Sequence, residues 1–227
     1  MLASASFGHL DPRRKVRPTP EPSVRSLRLP RAEVSAVAVE LRGGDVIYAH
    51  EDAAEFVYEV VEGMVRTVLL SNEGRRVVRG FFTPGDVFGL TRNGRHESSA
   101  EAVSDTTVAR CGRRRLESLA LVDPIMAREL WAWLLVEGER TTARLALLTH
   151  ARAVERIAYF LTEMAERVGE ADRLQLPMSR YDIGDYLGLS SETVSRAFTA
   201  LRRRGLISTY GRAVVLLRPD LLQRLAA

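Results

Sequence analysis

The sequence predicts an α+β chain built in three successive parts: an antiparallel β-barrel or sandwich, one long helix, and a winged helix-turn-helix. Three observations carry this. Between Val34 and about Leu90, short apolar runs alternate with glycine-bearing turns at intervals of roughly ten residues. From Asp123 the apolar spacing changes to steps of three and four residues, the period of a helix. Further on, SRYDIGDYLGLSSETVSRAFTALRRRGLISTYGRAVVLL reads as helix, glycine turn, helix and two strands.

Residues 1–33 hold five of the nine prolines and show no sustained hydrophobic period. Within residues 1–31 seven basic side chains face two acidic ones. Such a segment reads as a basic, disordered arm, either solvated or in contact with a polyanion. The β-domain is expected over 34–122. Its strands are AVAVEL, DVIYAH, EFVYEVV, GMVRTVLL, VVRGFF and, ending near Cys111, TTVARC. Asn72-Glu73-Gly74 is a hairpin candidate, with Gly74 able to take positive φ. The long helix is expected over 123–150, with Asp123 as cap and Pro124 in the first turn. Leu130, Leu134, Glu137, Thr141, Arg144 or Leu145, and Leu148 recur along it as a coiled-coil-like seam with a polar middle. The stripe suits either a dimer contact or packing on the β-domain. His150-Ala151-Arg152 is the expected hinge into VERIAYFLTEMAERV, which stops at Gly169 and opens a last unit over 151–227.

Composition bounds the function classes. The chain of 227 residues is 46% hydrophobic and 27% charged, ordinary for a soluble globular protein. It contains no apolar run long enough to span a bilayer and no apolar leader, so a cytoplasmic protein without a membrane partner is expected. One cysteine, Cys111, excludes an internal disulfide and a cluster held by four thiolates of one chain. The net charge of +4 is unevenly spread: the arm and residues 151–227 are basic, and the stretch between them is acidic. Lys15 is the single lysine, so nearly every cation is an arginine, whose planar fork suits bidentate contact with phosphate or guanine.

In the helix-turn-helix segment, Tyr181 to Leu187 forms the first helix and Gly188 stops it. Ser190 can cap a second helix from Ser191 to about Arg204. At about 100° per residue, Glu192, Ser195, Arg196, Thr199 and Arg203 share one sector, with Val194, Phe198 and Leu201 opposite. The chemistry of the polar sector fits base readout. Arg196 can donate two hydrogen bonds to guanine O6 and N7, Glu192 can accept from cytosine N4, and Ser195 is small enough to approach a base edge. A surface Glu–Arg pair at this spacing would by itself be ordinary. The turn, the wing over Leu206–Leu217 and the cluster Arg202, Arg203 and Arg204 favour DNA.

DIGDYLGLSSETVSRAFTALRRRGLI resembles the DNA-binding segment of the Crp/Fnr family of bacterial transcription regulators, and Glu-Thr-Val-Ser-Arg is similar to its Fnr and FixK branches. Gly-Gly-Asp and Pro-Gly-Asp-Val-Phe-Gly upstream resemble the family's cyclic-nucleotide-binding-like jelly roll, a double-stranded β-helix. The likeness spans about residues 34–225. It implies a homodimer on a palindromic operator resembling TTGAT, four spacer bases, then ATCAA, with RNA polymerase as a further partner and transcriptional activation as the expected output. It carries base reading over to Glu192, Ser195 and Arg196. It implies phosphate contacts by Arg180, Ser190, Ser191, Thr199, Arg203 and Arg212, and a dimer seam of Leu130, Leu134, Thr141, Leu145 and Leu148.

The likeness departs at the sensors. Cyclic-AMP-binding members have Gly-Glu and Arg-Ser pairs; here Gly89 precedes Leu90, Ser98-Ser99 replaces Arg-Ser, and Arg95 lies out of place. The cyclic phosphate would lose its cationic partner, so no cyclic AMP response is expected. The cysteines of an oxygen-sensing iron–sulfur cluster are missing, which is closer to FixK-type regulators, and no cofactor is expected. Cys111 reads as a buried strand-end residue. An effector-gated regulator of the same fold, with a small molecule or a haem on His9, His50, His96 or His150, is the alternative. A cupin-like enzyme with metal on His50, Glu51, Asp52 and Glu55 is a remoter one, because consecutive strand residues point to opposite faces.

Overall fold

A computed structural model of the protein describes residues 34–71, 73–169 and 173–226. The arm over 1–33, with His9, and Asn72 of the hairpin turn lie outside the described residues. The β-domain consists of β1 (Val37–Leu41), β2 (Val46–Tyr48), β3 (Phe56–Glu62), β4 (Val65–Leu70), β5 (Arg76–Phe82), β6 (Val87–Phe88), β7 (Ser99–Ala102) and β8 (Thr106–Gly112). They form two four-stranded antiparallel sheets, in the orders β1-β8-β3-β6 and β2-β7-β4-β5. All six expected strands are present; β6 and β7, two and four residues long, escape the pattern reading. The hairpin pairs β4 with β5, and Gly74 takes φ +76°. Opposite Thr67 and Val68 the register slips, so Arg79 is an extra residue in β5. Such a bulge re-aims a side chain.

Between the sheets lie Tyr48, Tyr58, Val60, Val65, Phe88, Ala100 and Val108. A second cluster of Val57, Val87 and Cys111 continues into α1 (Arg113–Val122) and α2 (Pro124–His150) through Leu116 and Met126. Cys111 is 2% exposed, and burial, helped by Glu59, pushes its thiol up to about 11. It stays a protonated, weakly nucleophilic core residue. Helix α1 is absent from the sequence reading. No side chain caps it and its first turn holds no acid, so it carries no start signal.

Helix α2 begins as expected, with the Asp123 side chain accepting from the Ile125 N–H and Pro124 in the first turn. It ends at His150, and Ala151-Arg152 leads into α3 (Ala153–Val168), closed by Gly169. Then come β9 (Arg173–Gln175), α4 (Arg180–Leu187), α5 (Ser191–Arg203), β10 (Ile207–Tyr210), β11 (Ala213–Leu216) and α6 (Pro219–Ala226). The expected wing is β10–β11, and β9 joins it as a third strand beside β11. A core made by α3, α4 and α5, with Ile157, Phe160, Leu161, Ile183, Leu187 and Leu201, also takes in Met64, Val68, Val78 and Phe81 of β4 and β5. The β-domain and the C-terminal unit thus share one apolar cluster.

Candidate nucleic-acid interface

The turn between α4 and α5 follows from local chemistry. Ser179 and Asp182 form a reciprocal capping box at the start of α4, with Ser179 Oγ accepting from the Asp182 N–H at 3.1 Å. At the far end Gly188 closes the helix in the left-handed region, at φ +63°. Gly184 lets the chain return closely: a Cβ there would stand 2.4 Å from the Leu189 carbonyl oxygen, whose own N–H donates to Gly184. Ser190 then caps α5, accepting from the Thr193 N–H at 3.1 Å, with its hydroxyl 2.8 Å from that of Thr193. Val194, Ala197, Phe198 and Leu201 are buried and lock α5 onto α3 and α4.

The opposite face of α5 is open. Glu192, Ser195, Arg196, Thr199 and Arg203 line one shallow trough together with Ala200 and Arg204, as the helical arithmetic predicts. Arg196 donates to Glu192 at 2.6 Å, with the two side chains 80% and 72% exposed. Ser195 and Thr199 hydroxyls donate back to the carbonyls of Ser191 and Ser195. They lie flat on the helix, which leaves the Glu–Arg pair standing proud at its N-terminal half. Exposed charged pairs of this kind are worth a few tenths of a kcal/mol, roughly, so the Arg196 guanidinium can leave Glu192 for another acceptor at little cost.

The residues expected at phosphate are spread around this face. Ser190 and Ser191 sit at the positive N-terminal end of the α5 dipole. Arg212 is exposed on the turn of the wing. Arg180 is outside the trough: its guanidinium stacks 3.4 Å over the Phe198 ring. Burial there, and then the neighbouring Arg202, lower its pKa. A like-charge pair beside the open face of α5 is a place where an anion is welcome. The Arg180–Phe198 stack has no sequence signature, because it joins residues of different helices.

The seam residues divide between two faces of α2. Leu130 packs in part against the cluster of Val57, Leu116 and Met126, and Glu137 turns inward to pair with Arg140 at 2.6 Å. The solvent-facing stripe is instead Ala127, Trp131, Leu134, Gly138, Thr141 and Leu145, spaced by four and three residues. Trp131, Leu134 and Leu145 are 66%, 48% and 57% exposed. Leu148 is half-buried next to Gly188. A helix with two apolar faces lets a run of three- and four-residue steps drift from one to the other.

Inside the β-domain a cavity of about 330 Å³ is lined by Tyr48, Arg79, Arg92, Ser98, Trp133 and Glu137, among others. Arg95 is turned away, donating to the Glu51 carbonyl at 2.6 Å. The β5 bulge and Arg92 nonetheless bring two cations to the lining, which the spacing of the motif did not reveal. His96 is buried and stacked on Tyr48 at 3.5 Å, and burial lowers its pKa. His50 is exposed beside Glu51. Among the described residues no group of three or more His, Cys, Asp or Glu side chains is placed to hold a metal, and no helix is long and apolar enough to cross a membrane.

Comparison with known proteins bears on both halves of the chain. A Crp-like helix-turn-helix domain matches residues 155–225 and a cyclic nucleotide-binding domain matches residues 38–123. The nitrogen fixation regulation protein FixK of Rhizobium meliloti is 41% identical over 183 residues, covering 80% of this chain and 83% of its own. The transcriptional activator protein Anr of Pseudomonas protegens is 35% identical, covering 82% and 79%. The structure of FixK2 from Bradyrhizobium japonicum superposes with a TM-score of 0.80 at 43% identity, over 85% of this chain and 98% of that one.

Proposed function

This chain belongs to the Crp/Fnr family, in its FixK-like branch of DNA-binding transcription regulators, and from that premise we propose that it acts as a homodimer on a palindromic operator. The reading rests above all on one observation, the exposed Glu192–Arg196 pair at the N-terminal half of an α5 otherwise locked by its apolar face. Arg196 reads a guanine through O6 and N7, Glu192 accepts from a cytosine N4 and orients Arg196, and Ser195 approaches the adjoining base edge. Arg180, Ser190, Ser191, Thr199, Arg203 and Arg212 hold the backbone. The operator is TTGAT-N4-ATCAA-like. Two copies of α5 reach successive major grooves when α2 pairs with its partner through Trp131, Leu134, Thr141, Leu145 and Leu148, the exposed Gly138 allowing the axes to approach. Activation through RNA polymerase in the cytoplasm, without cyclic AMP or an iron–sulfur cluster, completes the reading.

The same reading is tested by binding of the purified chain to a TTGAT-N4-ATCAA duplex with and without cyclic AMP. Submicromolar binding in its absence, unchanged on its addition and lost when the half-site guanine is replaced, is the expected result. The β-domain cavity favours one second reading. Arg79 and Arg92 on its wall suit a small anionic effector, and a cyclic AMP-dependent gain in affinity in the same titration would select that reading.

A further inference from the structure

Two charged contacts tie the β-domain to the C-terminal unit of the same chain, one on α4 and one on α3. In the first, the Asp182 carboxylate, 5% exposed, accepts from Arg66 at 3.0 Å and from Arg76 at 2.9 Å, and Arg76 also donates to Asp185 at 2.5 Å. Arg66 is steadied from behind by Glu101 at 2.7 Å. In the second, Asp86, in the turn that precedes β6, pairs with Arg167 near the end of α3 at 2.8 Å. Between them Phe81 of β5 packs against Phe160 of α3 and Tyr186 of α4, with ring centroids 6.1 and 5.3 Å away.

We propose that the Arg66/Arg76–Asp182/Asp185 contact is a latch that presets the orientation of the reading helix. The proposal rests on the DNA-reading role of α5 argued above. Ala151-Arg152 is a short extended link, and a domain hung on it alone would sample many orientations. An operator that must meet two reading helices at once sees only the fraction of molecules in the right arrangement, and apparent affinity falls by that fraction. The latch is placed to raise it. It grips the Asp182/Asp185 side of α4, while Glu192 and Arg196 on α5 stay open to solvent. Asp182 is also the third residue of the capping box, so one carboxylate fixes both the start of α4 and its position on β4 and β5. The charges are partly shielded from water and the hydrogen bonds charge-assisted, so salt screens them less than a surface pair. Apolar packing around Phe81 supplies attraction, and the directional ion pairs supply the angle.

The test compares four full-length proteins: wild type, R76Q, D185N and the double variant R76Q/D185N. Hydrogen exchange without DNA is followed in peptides covering 76–82 and 180–187, and affinity is measured for the palindromic duplex. Each single variant is expected to exchange faster in both segments and to bind about five- to tenfold more weakly, with the double no weaker than R76Q, because R76Q already removes the Arg76–Asp185 bond that D185N breaks. Unchanged exchange in the single variants, losses that add in the double, or tighter binding would each overturn the latch, the last by making the contact a brake. R196A separates the two readings, weakening operator binding and relaxing its selectivity with wild-type exchange. If the wild type bound no palindrome, the reading of α5 would fail while the exchange comparison still judged the contact.

Discussion

Arg196 and Asp86 show how far single side chains carry the account. Arg196 is held by Glu192 at 2.6 Å but is otherwise in water, so its removal should leave the fold intact and act only on the complex. Replacing it by alanine is expected to cost about 1–3 kcal/mol of operator affinity and to relax selectivity at one guanine per half-site. Equal weakening on every duplex would make it a phosphate contact instead. Asp86 is the opposite case. Burial alone would raise its carboxyl, but Arg167 and hydrogen bonds from Thr83 hold it below the ordinary 3.8. A carboxylate depressed in the folded state contributes stability that is fully present above 3.8 and is lost as the pH falls through the folded value. Thermal stability of the wild type should therefore fall in the acid range below about pH 4. Asp86→Asn should flatten that dependence while costing about 3 kcal/mol near neutrality, since it leaves the buried Arg167 guanidinium with Glu163 as its one remaining described carboxylate partner. An acid profile unchanged in the variant would contradict this.

At the scale of elements, α2 carries two faces with different consequences. Leu134→Glu and Leu145→Glu place charge on the solvent-facing stripe, whereas Leu130→Ala opens a gap against Leu116 and Met126. The first two should yield a monomer by light scattering that no longer binds the palindrome. The third should stay dimeric and lose about 2 kcal/mol of thermal stability, in keeping with a half-buried leucine. The reverse pattern would mean that α2 meets its partner elsewhere. These two faces also mark where sequence reading ran out. Elements with their own local signals were legible: the Asp123-Pro124 start, the Gly188 stop, the Ser190 cap and the open sector of α5 all depend on neighbours within one or two turns. Helix α1 has no cap, β6 has two residues, and the split of apolar residues along α2 depends on what lies beside each face. Arg79 reaches the cavity through a bulge, and Arg180 reaches Phe198 across the turn. Such placements are set by the fold rather than by spacing, so the motif alone left the cavity without the cations it has.

Across the whole molecule, the apolar cluster that joins β4 and β5 to α3, α4 and α5 makes the reading helix part of the same packed body as the β-domain. The Arg66/Arg76 contact with α4 sets the angle of that body, and the free stripe of α2 offers the face on which a second copy would complete it. This arrangement joins a cyclic-nucleotide-type domain and a helix-turn-helix unit in one packed body. The proposal built on it is a two-fold symmetric site read twice by Glu192, Ser195 and Arg196. Selection of binding sites from random duplex DNA, with the purified chain and no added effector, tests that most directly. The account predicts recovery of an inverted repeat of TTGAT-like half-sites separated by four bases. Recovery of a single half-site, a direct repeat, or no consensus at all would contradict it.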